Sequence, residues 1–189
     1  MCAADLLISL KIHWIMCGVL TLSAQLVVRG RVARRIMEEA RKLGVTPDEY
    51  LVELLSQGLD PKDRALEYIE AAESLLDEAR EELGKGNVRQ AAEKLWGTTA
   101  LAVKAYAYWR DGKRLTSHRE LWEYSKKLIE KLGEWVSDAW NAGNTMHICF
   151  YGDLCTEKDV GTAYKRVERL VREVASRIKN RFCFRVNSS

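Results

Sequence analysis

NVRQAAEKLWGTTALAVKAYAYWRDG, residues 87–112, is the stretch that decides the fold class. Its apolar residues Val88, Ala91, Leu95, Trp96, Ala102, Val103 and Tyr106 recur at helical spacing. Asn87 stands at an N-cap position and Gly112 where a helix stops. The same grammar extends in both directions, and strand-type alternation is nearly absent. The class expected is all-α.

Toward the C-terminus a short link, residues 113–117, leads to Ser117 and Glu120, which are spaced as a capping box. The helix they start is lined by Leu121, Trp122, Leu128, Leu132, Trp135 and Ala139. Residues 141–155 read as a long loop holding Asn141, His147, Phe150 and Tyr151, and loops of unusual length are often functional. Thr156 with Asp159 then caps a last helix faced by Val160, Ala163, Val167, Leu170, Val174 and Ile178. Toward the N-terminus, Asp60 and Pro61 start a helix with Leu66, Ile69, Ala72, Leu76, Ala79 and Leu83 inward, stopped at Gly84 and Gly86. Four long helices with mostly short links predict an antiparallel four-helix bundle over residues 60–182, with a tail at 183–189.

Two short helices are expected ahead of it, within residues 29–59. Val32, Ile36, Ala40 and Leu43 end at Gly44; Thr46, Pro47 and Glu49 open a second helix bearing Tyr50, Leu51, Leu54 and Leu55, closed by Gly58. With Leu26–Val28 in front, this arm resembles a ribbon-helix-helix unit, in which a strand pairs across a dimer. A plain helical hairpin docked on the main body fits the same pattern.

Residues 1–28 form a hydrophobic extension in which His13 and Gln25 are the strongly polar interruptions of the run from Ile12 to Val28. A signal peptide is opposed by Asp5 and the single Lys11 before the apolar run. A membrane anchor is opposed by its length, since a span needs about 20 apolar residues. A non-native extension, or a strand and helix loosely docked on the body, also stays open. The expectation is a cytoplasmic protein with no stable membrane association, in which residues 25–28 form a short strand or arm.

Composition narrows the functions. The chain has 189 residues, 47% apolar and 30% charged, enough for one domain with an appendage and a proper core. A net charge of +3 does not by itself imply nucleic-acid binding. Basic residues gather in 29–42 and 165–185, acidic ones in 60–82. Solvated faces laced with i,i+4 pairs explain that distribution, and so does a basic surface for a polyanion. The charge-rich make-up fits a thermophile. The five cysteines, Cys2, Cys17, Cys149, Cys155 and Cys183, make an odd count with no CxxC pair, against both a secreted disulfide framework and a zinc ribbon. His147, Cys149 and Cys155 lack regular ligand spacing, so neither a metal nor another cofactor is expected. A Cys149–Cys155 disulfide fits only a hyperthermophile's cytosol.

His118 and His147 lie at or beside expected helix ends, where side chains converge readily. Ala91-Ala92-Glu93-Lys94-Leu95-Trp96, Ala102-Val103-Lys104-Ala105, Ser117-His118-Arg119-Glu120-Leu121, His147 with Phe150-Tyr151, and Thr156-Glu157 together resemble the archaeal PaREP family of helical proteins. More distantly they resemble the HEPN superfamily. The likeness spans residues 30–180 and is most specific within 60–175. It implies a four-helix fold, a homodimer, nucleotide binding or RNase activity, and a toxin–antitoxin or defence setting with an antitoxin partner. In the HEPN signature an arginine precedes the catalytic histidine by four to six residues: the arginine stabilises phosphate charge, and the histidine orients the attacking 2′-hydroxyl or takes its proton. His147 occupies the histidine position here, but Asn141 stands where arginine is expected, and a neutral amide makes no bidentate grip on phosphate. Some members carry a tyrosine two residues past the histidine; that position is Cys149, with Tyr151 two places later.

The leading expectation is a HEPN-like protein that binds nucleotide or RNA in a polar pocket between long helices. His118, His147, Tyr151 and Asn141 would line that pocket, with Lys104 or Arg114 as its cation. Two alternatives stay open: an RNA endonuclease using His147 as its catalytic residue, and a non-catalytic dimeric interaction or regulatory module. His118 is more simply accounted for as a first-turn residue behind the Ser117 cap. His147 is equally accounted for as a buried histidine pinning a loop.

Overall fold

The computed structural model describes the backbone of residues 6–8 and 26–186 and the side chains of residues 27–180. The rest of the hydrophobic extension lies outside the described residues. So does the end of the tail. Contacts divide the chain into two units, Met1–Gln57 and Gly58–Ser189.

In the first unit, β1 (Leu6–Ile8) pairs antiparallel with β2 (Leu26–Val28), placing Leu7 opposite Val27. The strand expected at residues 25–28 is therefore paired within its own chain. α1 (Gly30–Leu43) ends at Gly44, whose φ of 68° is the left-handed turn that glycine supplies without steric cost. Its buried side is Ala33, Ile36 and Ala40; Val32 and Leu43, expected inward, are exposed. α2 (Pro47–Leu55) begins as expected: Thr46 Oγ1 accepts from Glu49 N at 3.1 Å, and Pro47 fills the first helical position.

The second unit holds five helices rather than the four expected. They are α3 (Pro61–Gly84), α4 (Val88–Asp111), α5 (His118–Leu132), α6 (Trp135–Gly152) and α7 (Glu157–Val186). The Asp60 carboxylate starts α3 by accepting from Lys62 N and Asp63 N. α4 packs against each of α3, α5, α6 and α7. Every residue from Leu95 to Tyr108 is buried, so this part of α4 is enclosed all round where the sequence suggested a single apolar face. Gly97, Thr98, Thr99, Ala100, Ala102, Ala105 and Ala107 keep its girth small enough for that crowding. α3, α4, α6 and α7 contact one another in a ring, and α5 rests on α4 and α6. Acidic α3 and basic α7 are neighbours, joined by Arg80–Glu168 at 3.2 Å and Lys179–Glu73 at 2.6 Å. Among the described residues, no helix is long and apolar enough to cross a membrane.

Two corrections follow in residues 117–155. The helix expected to run from Ser117 to Ala139 breaks at Gly133, whose φ of 103° a side chain would strain, and restarts as α6. The loop expected at 141–155 is mostly the C-terminal half of α6. Asn141, Gly143 and Asn144 are poor helix formers in isolation, but their segment also carries a buried stripe of Trp140, Gly143 and Met146. At Gly143 a Cβ would lie 2.6 Å from both Cβ and Cγ2 of Thr99. The glycine that reads as a loop signal is what lets α6 lie against α4.

Candidate functional site

Helical geometry builds the site. On α5, His118 and Trp122 stand four residues apart and share a face. On α6, Trp140 and His147 are seven residues apart, and Tyr151 is four further on, so all three share a face as well. The faces meet in reverse order: Trp122 packs edge-on against Trp140 at 5.3 Å, and His118 meets His147 at 5.4 Å between ring centroids. Trp96 of α4 forms the floor. Its indole is stacked on His118 at 5.2 Å and 7°, lies 5.1 Å from His147, and takes Trp140 edge-on at 6.1 Å. His147 in turn meets the Tyr151 ring at 5.0 Å.

The Ser117 hydroxyl accepts from Glu120 N, and the Glu120 carboxylate reaches back to the backbone N–H and hydroxyl of Thr116. These hydrogen bonds hold the Glu120 carboxyl below its ordinary pKa, so it stays ionised and the turn that presents His118 stays closed. Both histidines are half-buried, Trp96 is buried, and Tyr151 is exposed. The indole N–H groups of Trp96 and Trp140 find no acceptor among the described residues. A buried donor left so costs about 1–3 kcal/mol, and such a group asks for a reason.

The remaining expected residues fall elsewhere. Lys104 is buried, eight residues and about 12 Å along α4 from Trp96, with its ammonium 5.9 Å from the Tyr68 ring of α3. Asn141 is exposed and bonds Ser137; six helical positions before His147 place it about 240° round α6 and about 9 Å away. Arg114 stands on the exposed link before α5. The Trp96 indole lies against both imidazoles, and with the exposed Tyr151 they form an aromatic surface carried by α4, α5 and α6.

Arg89, which the sequence reading passed over, reaches this surface from the first turn of α4. Its Nε donates to the Phe150 carbonyl at 2.8 Å, and its guanidinium carbon lies 4.9 Å from the Phe150 ring, next to Tyr151. No local sequence signal marks it, because its position depends on how α4 crosses α6. Directly beyond, Cys149 and Cys155 form a disulfide with Cα atoms 5.3 Å apart, tying the end of α6 to the start of α7. Bonded to each other, those sulfurs are not thiolate ligands. No group of three or more histidine, cysteine or carboxylate side chains among the described residues is placed to hold a metal ion.

The family model for the archaeal PaREP1/PaREP8 family matches residues 67–171, more than half of the chain and the span that carries all of these groups. No curated protein and no solved structure matches the chain.

Proposed function

The chain belongs to the archaeal PaREP1/PaREP8 family, and we propose that it binds nucleotide or RNA on the surface formed by His118, His147 and Tyr151 over Trp96. The observation that carries the reading is the convergence of two half-buried imidazoles, 5.4 Å apart, on one indole, that of Trp96. Imidazole N–H groups donate to phosphate oxygens, and an exposed tyrosine ring offers a π-face on which a base stacks. The ring of α3, α4, α6 and α7 supports the HEPN-like bundle in which the superfamily places such chemistry. Exposed Ile148 and Leu154, which the binding reading does not use, support self-association into a homodimer.

RNA cleavage is the second reading, favoured by the histidines standing as a pair. One neutral imidazole takes the proton of a ribose 2′-hydroxyl while that oxygen attacks phosphorus. The bond from phosphorus to the 5′-oxygen breaks, and the second imidazole, protonated, supplies that oxygen's proton. The products are a 2′,3′-cyclic phosphate and a 5′-hydroxyl, and no metal is needed.

The test uses the full chain with labelled single-stranded RNA, alongside a His118→Ala/His147→Ala double variant whose helical content is checked by circular dichroism. Wild-type binding that weakens at least tenfold in the folded double variant is expected. Equal binding by the two proteins would sink the reading. Cyclic phosphate appearing with wild type, and not with the folded double variant, would move cleavage to first place.

A further inference from the structure

We propose that Arg89 is the phosphate-binding cation of this site, gripping a phosphodiester or nucleotide phosphate beside His147. The inference rests on the nucleotide-binding reading and names the contact that reading leaves open.

Arg89 is anchored rather than loose. Phe150 lies in the last turn of α6, where carbonyl oxygens have no partner within their own helix. Arg89 Nε–H occupies that carbonyl at 2.8 Å, and the guanidinium lies over the Phe150 ring at 4.9 Å. One donor and one π-face fix the plane of the fork. The two terminal amino groups, with four N–H bonds, have no protein acceptor among the described residues, and Arg89 is exposed. Arg172, by contrast, spends a terminal amino group on the Glu168 carboxylate.

Position supplies the second half of the argument. Phe150 is three residues from His147 on α6, a spacing that puts Cβ atoms about 5–6 Å apart. A continuous chain of ring contacts links them, Phe150 to Tyr151 at 5.0 Å and Tyr151 to His147 at 5.0 Å. A fork held in plane, with both amino groups unspent at the edge of an exposed aromatic surface, matches the geometry of a phosphate met bidentately. The neighbouring Tyr151 ring is placed for the attached base.

The experiment measures binding of a short fluorescein-labelled single-stranded RNA to the full-length wild type, Arg89→Gln, Arg89→Lys and His147→Ala at several salt concentrations, with AMP and adenosine as competitors. Arg89→Gln is expected to weaken RNA binding about tenfold or more. It should also lower the slope of log affinity against log salt by about 0.7, the value for one phosphate contact on a single strand. The advantage of AMP over adenosine as competitor should shrink with it. Arg89→Lys keeps the charge, so it should retain the slope while losing the bidentate part of the affinity. Wild-type affinity and slope in Arg89→Gln, with binding lost in His147→Ala, would remove Arg89 and leave the histidine reading intact. Weaker binding at unchanged slope and unchanged AMP preference would reduce Arg89 to a structural cap. No binding by the wild type would overturn both proposals together.

Discussion

Tyr124 is a residue whose surroundings fix one solution property of the protein. It is buried on α5, and its hydroxyl donates to Asp111 Oδ2 at 2.8 Å. Burial first, and then the carboxylate that accepts its proton, push its pKa far above the usual phenol range. In the unfolded chain the same group ionises near pH 10. Above that pH the unfolded state releases a proton that the native state keeps, so stability falls as pH rises. The contribution is whole below about pH 10 and drains away above it, at a limit of about 1.4 kcal/mol per pH unit for one proton. Tyr106 and Tyr164 are raised by burial as well and add to the slope. Tyr124→Phe is expected to cost about 0.5–1.5 kcal/mol at neutral pH through the lost hydrogen bond. It should also flatten the alkaline decline without abolishing it. Urea unfolding at about pH 8, 10 and 11 checks this, and an unchanged alkaline slope would show that Tyr124 is not the group responsible.

Among the elements, α6 shows where reading the sequence succeeds and where it stops. All six positions expected inward on α7, from Val160 to Ile178, are buried, because a strict helical period in a polar background leaves one solution. α6 lacks that contrast. Asn141, Gly143 and Asn144 carry loop propensities, and only the opposing surface of α4 reverses them. Once α6 is a helix, the site follows by arithmetic: Trp140, His147 and Tyr151 share a face and Asn141 leaves it. His118 and His147 could be singled out from the sequence because both are expected at or beside helix ends; His118 does open α5, whereas His147 lies within α6. Arg89 could not, because its partner Phe150 lies across a helix crossing. That crossing is itself testable. Ala is a better helix former than Gly by about 1 kcal/mol, yet a Cβ at residue 143 meets wholly buried, β-branched Thr99 at 2.6 Å. Overpacking of this kind costs about 1–3 kcal/mol. Gly143→Ala should therefore destabilise the protein on balance, and Thr99→Ala added to it should recover most of the loss. A Gly143→Ala protein as stable as wild type in urea would mean that α4 and α6 are not in close contact there.

At the scale of the whole molecule, the division at residues 57/58 separates a unit of two short strands and two helices from the five-helix unit that holds the entire candidate site. Arg89, Trp96, His118, His147 and Tyr151 all belong to the second unit, and the family match at 67–171 falls wholly within it. Its core is contributed by its own helices: Tyr68 and Ile69 of α3, Leu95 and Leu101 of α4, and Leu170 and Ile178 of α7 are essentially inaccessible. A chain of this length with a continuous core is large enough to fold cooperatively. The Lys94–Glu78 pair, 2.8 Å and largely screened from water, ties α3 to α4 inside the same unit. The Cys149–Cys155 disulfide closes a short loop inside it, which lowers the entropy of its unfolded state. Residues 58–189 produced alone are accordingly expected to be helical, to unfold in a single transition, and to melt at lower temperature once the disulfide is reduced. They should bind labelled RNA within about threefold of the full chain, since no residue assigned to binding lies before Gly58. Circular dichroism melts and anisotropy titrations on the same preparation decide the matter. A fragment that folds in one transition but binds at least tenfold more weakly would show that the first unit, with the exposed Arg31, Arg34 and Arg35 of α1, contributes contacts of its own.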